Sequence, residues 1–303
     1  MTLADDILRS LVVEPGAAAN LADRDPAWKG GEQFEDMATD DLKSFAKDRL
    51  QQFVDDLCEA QELLWASDTN SLLLIFQALD AAGKDGTIKH IMSGVNPQGC
   101  QVFSFKQPSS EEIDHDFLWR AVRALPERGR IGIFNRSYYE DVLVVQVHPE
   151  FLAKQKLPPG TVVDEGFWQQ RYEDINAFER HLDRAGTKVV KFFLHVSKEE
   201  QRRRFLSRVE HPNKYWKFSP TDLKERAHWD EYMRTFEDVL TKTSTEHSPW
   251  YVIPADHKQV MRTMVAGVVV RVINGLDLSY PTVTPEHLEA VEKARAELLA
   301  EAE

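Results

Sequence analysis

The stretch from Leu72 to His90, LLLIFQALDAAGKDGTIKH, passes from an apolar run into a Gly83-Lys84 pair and on toward a helix. In the phosphate-loop pattern G-x-x-x-x-G-K-[ST], glycines let backbone N–H groups approach phosphate, the lysine supplies charge and the hydroxyl holds magnesium. Here Gly83 and Lys84 provide the core pair, but Ala78 stands at the first glycine position and Asp85 at the hydroxyl position. A plainer reading, in which Asp85 caps a helix beside an incidental lysine, stays open on the pattern alone. Context favours phosphate: a buried strand precedes the turn, a helix is expected to begin at Asp85, and its N-terminus would face whatever occupies the turn. The backbone of Ala82, Gly83, Lys84, Asp85 and Gly86 is the candidate cradle, with Gly86 keeping the first helical turn bare. Asp80 is a complication, because a carboxylate about 4 Å from a phosphate oxygen repels it by ~1 kcal/mol in water and ~4 kcal/mol at an effective dielectric of 20. It implies either a bridging magnesium ion or water, or a purely structural acid.

A second cluster follows the apolar segment GRIGIF (129–134), in NRSYYEDVLVVQVH. It puts Asn135, Arg136, Glu140 and Asp141 at the C-terminal end of a strand, the edge at which open parallel α/β sheets bind ligands. Nucleotide and magnesium ligands of a phosphoryl-transfer site belong there. Arg136 alone is equally compatible with a surface ion pair.

These loops need a scaffold, and the chain alternates strand and helix patterns as a parallel sheet requires. Strands are expected at 72–76, 100–105, 129–134, 187–196 and 250–255. Helices are expected at 39–66, from 110 to near Pro126, and at 166–185, 198–210, 221–242 and 257–275. The fold class is therefore a three-layer α/β/α sandwich with a central parallel sheet. Residues 1–38, rich in Ala, Asp, Gly and Pro, read as an irregular arm over the surface. Residues 39–275 form the catalytic domain, and 276–303 a tail ending in a solvated acidic helix.

With 303 residues and 42% hydrophobic content, the chain can bury the core of one large domain. No window approaches 18 apolar residues, and Asp5 and Asp6 stand where a signal peptide carries positive charge, so a cytoplasmic protein with no membrane partner is expected. Cys58 and Cys100 lack a C-x-x-C spacing and read as apolar filler, and no histidine spacing suggests zinc. His195 reads as a packed, hydrogen-bonded residue. The net charge of −13 argues against nucleic acid as a partner. The charge is uneven: residues 1–70 carry 16 acidic and 6 basic side chains, whereas 198–226 carry nine Lys/Arg against five acids. A basic island in an acidic chain suggests a specific anionic ligand. Trp119, Trp216, Trp229 and Trp250 read as core or lid anchors, with stacking on a base left open.

Together, QALDAAGKDGTIKHIMSGVNPQG, FLWR, IFNRSYYEDVLVV, KFFLHVSKEEQRRRF, WKFS and STEHSPWYVIPAD resemble the polyphosphate kinase 2 family, in order, over roughly residues 40–275. The resemblance implies a P-loop kinase fold similar to thymidylate kinase with a helical lid at about 198–226. It also implies Mg²⁺ as cofactor and transfer of a terminal phosphate between inorganic polyphosphate and a nucleoside phosphate. Family members carry Asp in the loop at the place of Asp80 and Asp or Gly after the lysine; many have glycine at the place of Ala78. The ADP-converting group typically reads F-D-R-S-W-Y-N-R, whereas this chain reads FNRSYYED; that variant resembles the group accepting AMP, often ADP as well. Asn135 in place of Asp weakens the case for a direct metal role there and makes Glu140 the candidate that orients acceptor or metal. On this reading Lys84 and the loop amides hold the transferring phosphate, Mg²⁺ bridges through Asp80, and Arg136 offsets transition-state charge. Lys89, Arg204, Arg208, Lys214 and Lys217 line the polyphosphate path, with Arg204 and Arg208 four apart on one helical face. The expected partners are polyphosphate, AMP, ADP and ATP, in a homo-oligomer of unspecified size. Two other readings stay open: an ordinary nucleotide kinase with ATP as donor, and a binding module without turnover.

Overall fold

The computed structural model describes residues 5–301. Its five strands are β1 (Ser71–Gln77), β2 (Cys100–Ser104), β3 (Ile131–Asn135), β4 (Thr187–His195) and β5 (Trp250–Pro254), all parallel in the order β2-β3-β1-β4-β5. β1 is central and buried along its whole length, which is why it reads as a continuous apolar run rather than an alternating one. Its side chains still alternate: Leu72, Leu74 and Phe76 enter one core, while Leu73 and Ile75 enter the other.

Along the chain the helices are α1 (Asp5–Ser10), α2 (Thr39–Ser67), α3 (Lys84–Ile91), α4 (Ser110–Ile113), α5 (Trp119–Val122), α6 (Val144–Val147) and α7 (Pro149–Leu152). They continue with α8 (Glu165–Arg184), α9 (Lys198–Glu210), α10 (Pro220–Ala227), α11 (Trp229–Thr243), α12 (Lys258–Asn274) and α13 (Pro285–Ala300). One face of the sheet is covered by α2, α3 and α12, the other by α8 and α11. The α/β/α sandwich is thus the observed architecture.

Three sequence expectations differ from it. The helix expected from 110 to near Pro126 is two short ones, because the Asp116 carboxylate accepts from the Leu118 N–H at 2.9 Å and turns the chain between them. The helix expected over 221–242 divides at His228 into α10 and α11. The N-terminal arm is not a surface cover: Leu8, Leu11 and Val13 are buried, and the arm bonds β5 antiparallel through Val13 N–H to Trp250 O at 2.9 Å and Val252 N–H to Leu11 O at 2.8 Å. It shields what would otherwise be an open sheet edge. The solvated C-terminal helix is present as α13, with no buried residue.

Candidate active site

β1 and β3 lie side by side with Phe76 opposite Asn135, so the loops leaving their C-terminal ends face each other. The loop after β1 turns twice through left-handed backbone, at Ala81 (φ 62°) and Gly83 (φ 114°), before α3 starts at Lys84, one residue ahead of the expected position. Gly83 adopts this conformation without penalty, whereas Ala81 carries roughly 1–2 kcal/mol of strain. Two residues of α9 hold the strained turn: Gln201 Nε2 donates to Asp80 O at 2.9 Å, and Arg204 Nη1 donates to Ala81 O at 3.1 Å and Ala82 O at 2.5 Å.

Inside the turn Lys84 Nζ donates to Ala78 O at 2.8 Å, which presents the ammonium along the loop. Burial, then the neighbouring Arg136, push its pKa down, while Asp80, Glu140 and Asp85 pull it up. Arg136 is itself a left-handed residue (φ 63°) at the end of β3. Its guanidinium bridges Asp80 at 3.1 Å and Glu140 at 3.8 Å. Glu140 is raised by burial against the opposing pull of Arg136 and Lys84. Lys84, Asp80, Arg136 and Glu140, separated by up to 60 positions in sequence, therefore form one charge cluster. Asn135 Nδ2 donates to Asp85 Oδ1 at 2.7 Å, tying the two loops together. Behind this cluster, Tyr138 and Tyr139 hydroxyls both donate to Glu179 at 2.8 Å, and Lys191 completes a fully buried ion pair with Glu179 at 2.6 Å. That network fixes the backbone immediately after Arg136.

Beside the cluster is a cavity of about 370 Å³ lined by Ala78, Asp80, Arg136, Glu140 and Asp141, by the apolar Phe105, Leu143 and Phe151, and by Gln201, Asp222 and Arg226 from the 198–226 segment. Its size suits a small-molecule ligand, with apolar walls and a few convergent polar groups. Trp229 also lines it; of the other tryptophans, Trp250 is buried, Trp119 stacks on His115 at 3.8 Å, and Trp216 is 78% exposed.

One sequence assignment needs correction. Arg204 is no open-channel residue: it is buried, its Nε pairs with Glu200 at 2.6 Å, and its Nη2 donates to Ala255 O at 2.5 Å and Asp256 O at 3.2 Å in addition to the loop contacts above. Its donors are committed to holding the phosphate loop. Asp141 lies at the cavity wall but is buried against Gln155, whose Nε2 donates to it at 2.7 Å, and burial pushes its pKa to about 6. Of the other proposed path residues, Arg208 pairs with Asp222 at 3.1 Å and Lys214 Nζ donates to Ser207 Oγ at 3.0 Å. Lys217 sits over the Trp216 ring at 4.9 Å, and Lys89 is exposed on α3. His195 is packed as expected, but its Nδ1 is buried without a partner.

Sequence reasoning missed Arg120 and Arg226 at the cavity. Arg120 lies inside the FLWR motif; its Nη1 donates to Lys106 O at 2.9 Å. Arg226 was counted only as charge in the basic island, yet its Nη1 donates to Lys198 O at 2.7 Å and Gln201 Oε1 at 2.8 Å at the cavity rim.

Two carboxylates, Asp80 and Glu140, face the loop, and no group of three or more His, Cys, Asp or Glu able to hold a metal occurs among the described residues. An oxygen-only set of one or two carboxylates fits Mg²⁺, which takes the rest of its octahedron from water and substrate phosphate. No helix among the described residues is long and apolar enough to cross a membrane.

Comparison with known proteins agrees with this geometry. The chain is 54% identical over 81% of its length to an ADP-polyphosphate phosphotransferase of Rhodopseudomonas palustris, covering 85% of that protein. It is 44% identical over 73% of its length to an AMP/ADP-polyphosphate phosphotransferase of Meiothermus ruber, covering 78% of that one. The crystal structure of polyphosphate kinase 2 from Arthrobacter aurescens superposes with a TM-score of 0.80 at 37% identity, covering 96% of this chain and 97% of the other. The profile of Polyphosphate kinase 2 matches residues 41–279, and the chain belongs to that family, with its P-loop kinase fold.

Proposed function

We propose that this protein transfers the terminal phosphate of inorganic polyphosphate to a nucleoside mono- or diphosphate, AMP to ADP and ADP to ATP, reversibly. The observation that carries the reading is the joining of Lys84, Asp80, Arg136 and Glu140 into one cluster at the mouth of a half-apolar cavity. The relatives' activities point the same way.

Phosphoryl transfer proceeds in line through a loose transition state, so the protein's task is positioning and charge neutralisation. Lys84 and the N–H groups opening α3 bind the transferring phosphoryl oxygens. Arg136, held between two carboxylates, keeps a preset orientation and stabilises the charge that develops on those oxygens. The apolar wall formed by Phe105, Leu143 and Phe151 takes the nucleoside and excludes water from the transfer. Glu140, next to Arg136, meets the acceptor phosphate, where AMP and ADP differ. Asp80 and Glu140 would hold Mg²⁺, which would supply neutralisation of phosphate charge. No covalent enzyme intermediate is needed. One phosphoanhydride replaces another in the ADP reaction, so its direction follows concentrations. A cytoplasmic homo-oligomer is the assembly and location we expect.

The test is product analysis with AMP or ADP as acceptor and polyphosphate or ATP as donor. Polyphosphate-dependent product supports the proposal; product from ATP alone makes the protein an ordinary nucleotide kinase, and none from either makes it a binding module.

A further inference from the structure

The chain after β3 lines the nucleotide cavity with Leu143 and Phe151, while α10 and α11 line it with Asp222, Glu225 and Tyr232. α10 has eight residues and none of them is buried, so no apolar packing into a core fixes its place. Polar side chains take over that task. Asp222 accepts from Arg208 at 3.1 Å, and Arg226 Nη1 donates to Lys198 O and Gln201 Oε1, so both of these tie α10 to α9. Glu225 reaches the other wall instead: its Oε2 accepts from His148 Nε2 at 2.8 Å, and also from the Tyr232 hydroxyl at 2.7 Å.

His148 is held in place to make that bond. It stands between α6 and α7, and backbone bonds on each side, from its N–H to Val144 O at 2.8 Å and from the Phe151 N–H to its own O at 2.9 Å, fix where the side chain starts. The ring packs against Phe151, with centroids 5.5 Å apart, and against His228, at 5.0 Å. His228 marks the break between α10 and α11, and its Nδ1 pairs with Glu231 at 2.6 Å. The His148 side chain is only 13% exposed, so water competes little for its bond to Glu225. Its other nitrogen, Nδ1, faces Glu150 at 3.4 Å. Burial, then the bond to Glu225, pushes the Tyr232 pKa up, so that hydroxyl stays a donor to the same carboxylate.

We propose that His148 is a positioning residue for the nucleotide: by bonding Glu225 it holds α10 against the wall that carries Leu143 and Phe151, so that the cavity grips the nucleoside. The bond acts through the wall and not on the reacting phosphates. AMP and ADP share the nucleoside, so its effect is the same for both, which separates His148 from Glu140 at the acceptor phosphate. The inference rests on the reading that the cavity takes the nucleotide.

The test compares four variants of the full chain, with a thermal melt for each. His148→Phe keeps a ring against Phe151 and His228 but removes the donor, and His148→Gln restores a donor at similar reach. Glu225→Ala removes the acceptor, and the fourth variant combines it with His148→Phe. Steady-state KM is measured for AMP, ADP and long-chain polyphosphate, and Kd for ADP by equilibrium dialysis without polyphosphate. Loss of one hydrogen bond to a charged group predicts KM for both nucleotides, and Kd for ADP, raised roughly tenfold in His148→Phe. The kcat at saturating nucleotide and the KM for polyphosphate should stay within about threefold, since a contact made equally before and during transfer acts on binding alone. His148→Gln should recover most of the loss, and the double variant should be no worse than Glu225→Ala, because both changes remove one bond. Glu225→Ala, in a helix with no buried residue, must show the same pattern, and it supplies the test should loss of His148 prevent folding. Unchanged nucleotide KM and Kd in either single variant, additive losses in the double variant, or an equal rise in the polyphosphate KM overturns the inference. A parent that binds ADP yet yields no product from any donor would instead end the functional reading, while a Kd for ADP still raised in His148→Phe upholds this one.

Discussion

Replacing Arg204 by Met separates a channel cation from a brace. The guanidinium is buried and makes contacts to the carbonyls of Ala81, Ala82, Ala255 and Asp256 as well as to the equally buried Glu200. Met fills similar volume but leaves Glu200 as a buried charge whose remaining partner is the exposed Arg203, and breaking a buried pair in this way costs about 3–5 kcal/mol. At ~2.1 cal/mol/K of unfolding entropy per residue, a 303-residue chain loses about 0.6 kcal/mol per degree, so Tm should fall by roughly 5–8 °C. The loop would also lose the donors that hold Ala81 in its strained backbone, so kcat should drop by the same factor with long polyphosphate and with triphosphate. Differential scanning calorimetry paired with kinetics on both donors reads the two effects. An unchanged Tm with a KM raised only for long chains would refute the brace and return Arg204 to the polyphosphate path.

Lys84→Ala should lower kcat by about 10²–10³, the usual scale for removing one preorganised charge stabiliser, with the far-ultraviolet spectrum unchanged; a loss under tenfold would remove Lys84 from the reacting centre. Glu140 has a pKa raised by burial, so its charged form disappears as pH falls through a value above that of an ordinary glutamate. The AMP-dependent kcat/KM should therefore decline on acidification more steeply than the ADP-dependent one, and Glu140→Gln should abolish that difference; parallel losses would refute its role at the acceptor. Lys191→Met strands a fully buried Glu179 and should destabilise by about 3–5 kcal/mol, whereas Lys191→Met with Glu179→Gln should recover most of it by urea unfolding. A double variant no more stable than the single would show that the pair is not the controlling interaction.

Most of the scaffold was legible because local pattern and burial coincide. β1 is apolar on both faces since both faces are covered, and α9 runs over the residues its Ser197 cap and helical pattern mark out. What was not legible depended on which side of an element meets which neighbour. Arg204 and Arg208 share a face by spacing, but only the packing of α9 against the loop makes Arg204 a buried donor and leaves Arg208 half exposed. Arg262 lies just after β5 in the helix expected over 257–275, yet its closeness to Gly86 could not be read locally, because the two are 176 residues apart. The arm before residue 39 looked irregular because its internal hydrogen bonds close isolated turns and two more go to β5, leaving no sustained periodicity to detect.

The cluster at Lys84 acquires its meaning from a single event, the movement of a phosphoryl group from a polyphosphate end to a nucleotide. Phosphorus-31 NMR of the purified protein with Mg²⁺, polyphosphate and ADP follows both sides of that event at once. The account predicts that γ-phosphate of ATP appears as interior polyphosphate resonance is lost, one for one, with free phosphate absent. Loss of polyphosphate to inorganic phosphate without nucleotide gain, or no change in either signal, would contradict it.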